Sequence, residues 1–250
     1  MSDVGAFFDW LGAHKLDRAA TINYKAHLCE KFAPSSVNAA ISSLNSFFNF
    51  IGRLDLILKS LKIQRQLFLS EDKELTKAEY ERLLRAAEKS KNRRLYLLMQ
   101  TICLTGIRVS ELRFITVESV NHEYADINCK GKCRRIFIPR SLCKMLKSYI
   151  KEQKIKSGSG FVTKNGKPLD RSNIWSDMKK LCRGADVSEK KVFPHNLRHL
   201  FARTYYSIQK DIVRLADILG RSNVNTTRVY TIESGIVHRH QIQRLGLLIC

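Results

Sequence analysis

Apolar residues recur at helical spacing through most of this chain and alternate at strand spacing in one short region. Val4 to Leu11 is apolar on one face, and Thr21 to Lys31 follows as a second helix. Val37, Ile41, Leu44, Phe47, Phe48 and Ile51 keep near the i, i+3, i+4 pattern. That predicts a helix through Phe50, capped by Ser35 or Ser36 and stopped by Gly52. Thr76-Lys77-Ala78-Glu79 reads as a capping box opening a further helix, with Leu83, Leu84 and Ala87 as its buried stripe. Further helices are predicted at Arg93–Leu104, Ser110–Phe114, Ser141–Lys154, Ser172–Arg183, Leu197–Ile208 and Asp211–Leu219. Tyr124–Asn128 and Arg134–Ile138 read as two strands joined by a Gly-containing turn.

Between the two helical regions the periodicity stops. The pattern implies two mainly α-helical domains: residues 1–69, a polar linker at 70–75, and residues 76–250 with the small antiparallel sheet. A length of 250 residues accommodates both without disulfide staples.

Charge separates the two regions. Residues 1–72 carry eight Lys and Arg against seven acids, a net of +1. Residues 73–250 carry 36 against 16, a net of +20. A compact domain this basic repels itself unless a polyanion neutralises it. Nucleic acid is the expected partner, chiefly on the second region. A membrane surface would call for a long basic amphipathic helix, which the pattern lacks. No apolar run reaches the 18 residues of a membrane span, and the N-terminus does not read as a signal peptide. The seven cysteines are odd in number and scattered, which suits a reducing cytoplasm. Cys129 and Cys133 lack the second ligand pair of a zinc site, so no metal is expected.

Four segments carry candidate chemistry: Thr105-Gly106-Ile107-Arg108-Val109-Ser110-Glu111-Leu112; Lys130 in the hairpin; His195-Asn196-Leu197-Arg198-His199; and Leu219-Gly220-Arg221, nine residues before Tyr230. In this order they resemble the TGxRxSEL, hairpin-lysine, HxLRH and LGxS…Tyr segments of the tyrosine recombinase (phage integrase-like) family. The spacing resembles its compact Xer-type or transposon integrase members. The resemblance covers the whole chain, with residues 1–69 similar to the family's helical core-binding domain.

The resemblance implies a site-specific recombinase that clamps duplex DNA at specific sites. Tyr230 would attack a phosphodiester and form a 3′-phosphotyrosine, so that bond energy is conserved without water or cofactor. Arg108 and Arg198 would hold the non-bridging oxygens, where the planar guanidinium fork binds two at once. An ion pair of Arg108 with Glu111, one helical turn away, is the ordinary alternative. His195 would take the proton from Tyr230 or return it, while His199 reads as structural. Lys130 would protonate the leaving 5′-oxygen, with Lys132 as its competitor. Arg221 stands where the family usually has His or Trp. It keeps a donor for the phosphate, or is too long and misplaces it.

Family members work as tetramers on two DNA sites and pass through a Holliday junction. Ile242, Leu245, Leu248 and Ile249 form a stripe in the tail. Such a terminal helix packs on a neighbouring protomer in the family; packing on its own domain is the alternative. Two rival functions share the residues: a type IB topoisomerase, and a DNA-binding relative weakened by Arg221.

Overall fold

The computed structural model describes residues 2–62, 73–129, 132–163, 166–167, 169–221, 223–227 and 230. The chain divides into two compact units, Met1–Gln66 and Leu67–Cys250.

The first unit holds α1 (Asp3–Leu11), α2 (Arg18–Lys31) and α3 (Pro34–Phe50), followed by a 3-10 turn at Leu54–Leu56. Phe7 is fully buried, with its ring 5.0 Å from Tyr24 and 5.8 Å from Phe48. Val37, Ile41, Leu44 and Phe48 line the same core, as the periodicity predicts, while Ile51 turns outward. The start of α3 differs from expectation. Pro34 opens it, because a ring with φ already set and no N–H suits the first helical position. Two side chains on α3 then hold the returning segment. Asn45 exchanges two hydrogen bonds with the backbone of Leu58, and Asn38 exchanges two with Leu61. Each amide thus satisfies an extended backbone that has no strand beside it.

The second unit is built around α5 (Arg93–Thr105). It packs against α4 (Lys77–Lys89), α7 (Arg140–Glu152), α8 (Arg171–Ala185) and α9 (Pro194–Gln209). Leu97, Leu98, Met99 and Ile102 on α5 are almost wholly buried. The capping box at α4 forms as predicted: the Thr76 N–H donates to Glu79 at 2.8 Å and the Glu79 N–H donates to the Thr76 hydroxyl at 3.2 Å. A short helix, α6 (Val117–His122), stands where periodicity predicts none. β1 (Tyr124–Cys129) and β2 (Lys132–Phe137) form an antiparallel hairpin, with Ile127 opposite Arg134 and Cys129 opposite Lys132. α10 (Ile212–Leu219) lies against both α9 and β2. A 3-10 turn at Val224–Thr226 leads towards Tyr230. No described helix is long and apolar enough to cross a membrane. Lys130 and the tail stripe from Ile242 to Ile249 lie outside the described residues.

Candidate active site

The first functional segment is shaped by a glycine. Gly106 ends α5 with φ of 65°. A Cβ there would lie 2.4 Å from the Phe201 ring on α9, so both the left-handed turn and the helix contact require glycine. Two residues on, Arg108 is extended and opens a 3-10 turn at Val109–Phe114. Its side chain is partly exposed and pairs with Glu111 at 2.8 Å. The ordinary ion pair is therefore present, yet it uses only one terminal nitrogen of Arg108.

Glu111 is the less expected centre of this region. It is 1% exposed and accepts hydrogen bonds from the Arg108 backbone at 2.7 Å and from both terminal nitrogens of Arg134 at 3.0 and 2.7 Å. Arg198 stands 3.9 Å away. Burial alone would raise the Glu111 carboxyl. The hydrogen bonds from Arg134 and from the Arg108 backbone outweigh it and hold the group below its ordinary value.

Arg198 projects from α9 and is 1% exposed. It donates to the carbonyls of Gly106 and Leu219, both at 2.6 Å. It therefore ties the end of α5 to the end of α10. A guanidinium has five N–H donors, and Nε meets no partner among the described residues. Burial, then repulsion from Arg108, lowers its pKa to about 10, so it stays charged at neutral pH.

His195 and Arg198 share α9, with Pro194 at the helix start. The His195 ring lies 4.4 Å from His199, and His199 meets the Tyr230 ring edge-on at 5.0 Å. Burial and the charges of Arg198, Arg221 and Arg108 lower the His195 pKa. Burial, His195 and Arg221 push His199 down to about 4. Both imidazoles are thus neutral at neutral pH.

Tyr230 is a buried residue. Its side chain is 4% exposed and packs with Ala202, Leu215 and Leu219. Arg221 accounts for the polar end. Its Nη2 donates to the phenolic oxygen at 2.7 Å, and its Nη1 donates to the Thr226 carbonyl. The residue at the unusual position therefore turns onto the tyrosine.

Arg108, His195, Arg198, Arg221 and Tyr230 are brought into one cluster. Arg134 and the structural share of His199 extend it. Arg134 left a signal in the sequence. On β2, Ile136 is buried and Arg135 and Phe137 are exposed, so period two puts Arg134 on the inward face. A charged residue there needs a buried partner.

The chain resembles proteins of one family along most of its length. A family model described as Phage integrase family matches residues 73–234. The chain is 31% identical over 223 residues to tyrosine recombinase XerA of Pyrococcus furiosus, spanning 85% of this chain and 75% of that one. It is 29% identical over 257 residues to tyrosine recombinase XerA of Thermococcus kodakarensis, spanning 98% and 87%. Among solved structures, XerA recombinase matches with a TM-score of 0.58 at 24% identity, covering 99% of this chain and 90% of that chain. A lambda integrase dimer bound to a COC′ core site matches with a TM-score of 0.71 at 18% identity, covering 93% and 87%. A lambda integrase tetramer bound to a Holliday junction matches at 0.70 and 18%, covering 91% and 69%. These last likenesses establish a shared fold.

Proposed function

The chain belongs to the phage integrase family of tyrosine recombinases, and from that premise we propose that Tyr230 cuts and rejoins DNA at specific recombination sites. The observation that carries this reading is the Tyr230 hydroxyl, held by Arg221 beside a pair of neutral histidines and two clamp arginines.

The chemistry follows from those groups. The Tyr230 oxygen forms a bond to phosphorus as the bond to the 5′-oxygen breaks, leaving a 3′-phosphotyrosine. The phenolic proton passes to neutral His195. The 5′-oxygen takes a proton from Lys130. Charge growing on the non-bridging oxygens is met by the donors of Arg108 and Arg198 not used inside the protein, and Arg221 adds a third guanidinium. A 5′-hydroxyl from a partner strand then reverses the step and completes strand exchange, with no metal or nucleotide required.

The likeness to recombinases solved on DNA supports a duplex in the basic second region, and the tetramer on a Holliday junction supports four protomers acting on two sites. Residues 1–69 would form the core-binding domain and 76–250 the catalytic domain, joined by the linker at 70–75. The tail beyond Gly235 would pack on a neighbouring protomer. The reaction belongs with DNA in the cytoplasm.

A nicked suicide duplex tests the assignment, because the cut strand diffuses away and traps the adduct. The wild-type chain should form a covalent protein–DNA band. Tyr230→Phe should bind the same duplex equally and form none. An adduct that persists in Tyr230→Phe would identify another nucleophile. Two marked duplexes separate recombination from topoisomerase action: exchange of flanking strands is expected, whereas relaxation alone would favour a topoisomerase.

A further inference from the structure

We propose that Arg134 is a positioning residue for the reaction, holding the lysine-bearing hairpin against the arginine clamp and the Arg221 segment without touching the phosphate. The inference rests on the reading of Lys130 as the acid for the leaving oxygen.

All three nitrogens of the Arg134 guanidinium are engaged. Nη1 and Nη2 donate to the two oxygens of Glu111 at 3.0 and 2.7 Å, and Nε donates to the Ile218 carbonyl at 3.1 Å. The other two arginines around Glu111 are engaged less fully. Arg108 gives it one terminal nitrogen, and Arg198 stays 3.9 Å away. Arg134 is thus the residue that holds the carboxylate in place, which leaves Arg108 and Arg198 with donors for an incoming phosphate.

Its location links three parts of the site. Arg134 sits on β2, four residues along the chain from Lys130. Its contact with Ile218 falls on the last turn of α10, where Arg198 also binds Leu219. Two guanidiniums therefore satisfy successive carbonyls at a helix C-terminus, where cations are favoured. Gly220 comes next, with φ of 61°, and a Cβ there would lie 2.6 Å from Arg134 Nη1. Only glycine lets the guanidinium lie against the backbone immediately before Arg221. A two-stranded hairpin is marginal by itself, so an anchor of this kind decides how its strands are held.

The test uses two variants and two substrates. Arg134→Ala removes the anchor, and Arg134→Lys keeps the charge but cannot span Glu111 and Ile218 together. On an ordinary suicide duplex, Arg134→Ala should lose about 100-fold in single-turnover cleavage, the scale of a misplaced reacting group. DNA binding should be unchanged. The second duplex carries a bridging 5′-sulfur at the scissile phosphate. The P–S bond then breaks to release a thiolate, which needs no protonation.

If Arg134 acts through the hairpin acid, the sulfur substrate should restore Arg134→Ala and Arg134→Lys towards wild-type rates, and leave Arg108→Ala slow. Equal slowing of the Arg134 variants on both substrates would overturn the proposal. So would loss of folding in both variants, read by thermal melting, because the residue would then serve stability alone. Lys130→Ala runs alongside. If it is not restored while Arg134→Ala is, the acid is another hairpin residue such as Lys132, and the role of Arg134 stands.

Discussion

Arg221 lies over the Tyr230 ring, 4.8 Å from its centroid, and donates a 2.7 Å hydrogen bond to the phenolic oxygen. If Tyr230 attacks phosphorus as proposed, a guanidinium donating there is aligned on the reacting oxygen. It also leaves the hydroxyl proton free to pass to a base. Arg221→Ala should therefore slow single-turnover cleavage about 100-fold, as for loss of one aligned donor at a reacting oxygen. Arg221→His should recover part of the rate. Faster cleavage by Arg221→Ala would show instead that Arg221 restrains the nucleophile.

With His195 as the proposed base, its protonation would set the acid side of the pH dependence. Burial and the neighbouring arginines favour its neutral form, so its pKa falls below the ordinary 6.5. The base form then survives into more acidic solution. The apparent kcat/KM for cleavage should rise with pH on a limb centred below 6.5 and be flat through neutrality. His195→Gln should abolish that limb. A limb centred above 6.5 in the wild-type chain would contradict the assignment.

His199 links the same charges to stability. Its pKa is pushed from 6.5 to about 4 in the folded protein. The unfolded chain therefore binds the extra proton first as pH falls. Stability from the neutral imidazole is complete above 6.5 and is lost progressively down to about 4. The loss should reach no more than about 3 kcal/mol for this partly buried ring. Urea unfolding between these pH values should show the slope, and His199→Gln should flatten it. The Glu111 contribution lies lower. Its carboxyl is held below its ordinary 4.5, so that stability is present above 4.5 and is lost only as pH falls through the folded value.

Glu111→Gln should destabilise the second unit by about 3–5 kcal/mol, because it leaves buried arginines without their counter-charge. Cleavage should fall with it even under conditions where the variant is folded. Denaturant melts and adduct yield, measured on the same preparation, check both. A variant as stable as wild type would mean that solvent reaches these arginines.

Gly106→Ala should cost about 2–4 kcal/mol, from a positive φ together with overpacking against Phe201. Adding Phe201→Leu should recover part of the loss, since it removes the clash and leaves the backbone strain. A double-mutant cycle with no coupling would show that the helix contact is unimportant.

The local signals were written plainly in the chain. Thr76 and Glu79 form their capping box, Gly106 and Gly220 end their helices in the left-handed region, and the hairpin strands pair where alternation places them. These depend on a few adjacent residues, so sequence suffices. Ser35 and Ser36 yielded the α3 start to Pro34 because two local signals overlapped within three residues. Motif order also brought Arg108, His195, Arg198, Arg221 and Tyr230 forward as a set.

Their arrangement was decided only in three dimensions. Arg134 and Glu111 are 23 residues apart, and Arg198 and Gly106 are 92 apart. No local spacing says which cation a buried carboxylate will choose. Packing of α9, α10 and β2 places several arginines around one acid, and desolvation there makes the choice matter. Tyr230 shows the same division. Its place in the chain marks it as the candidate nucleophile, but its burial against α9 and α10 and its bond to Arg221 arise from the tertiary fold.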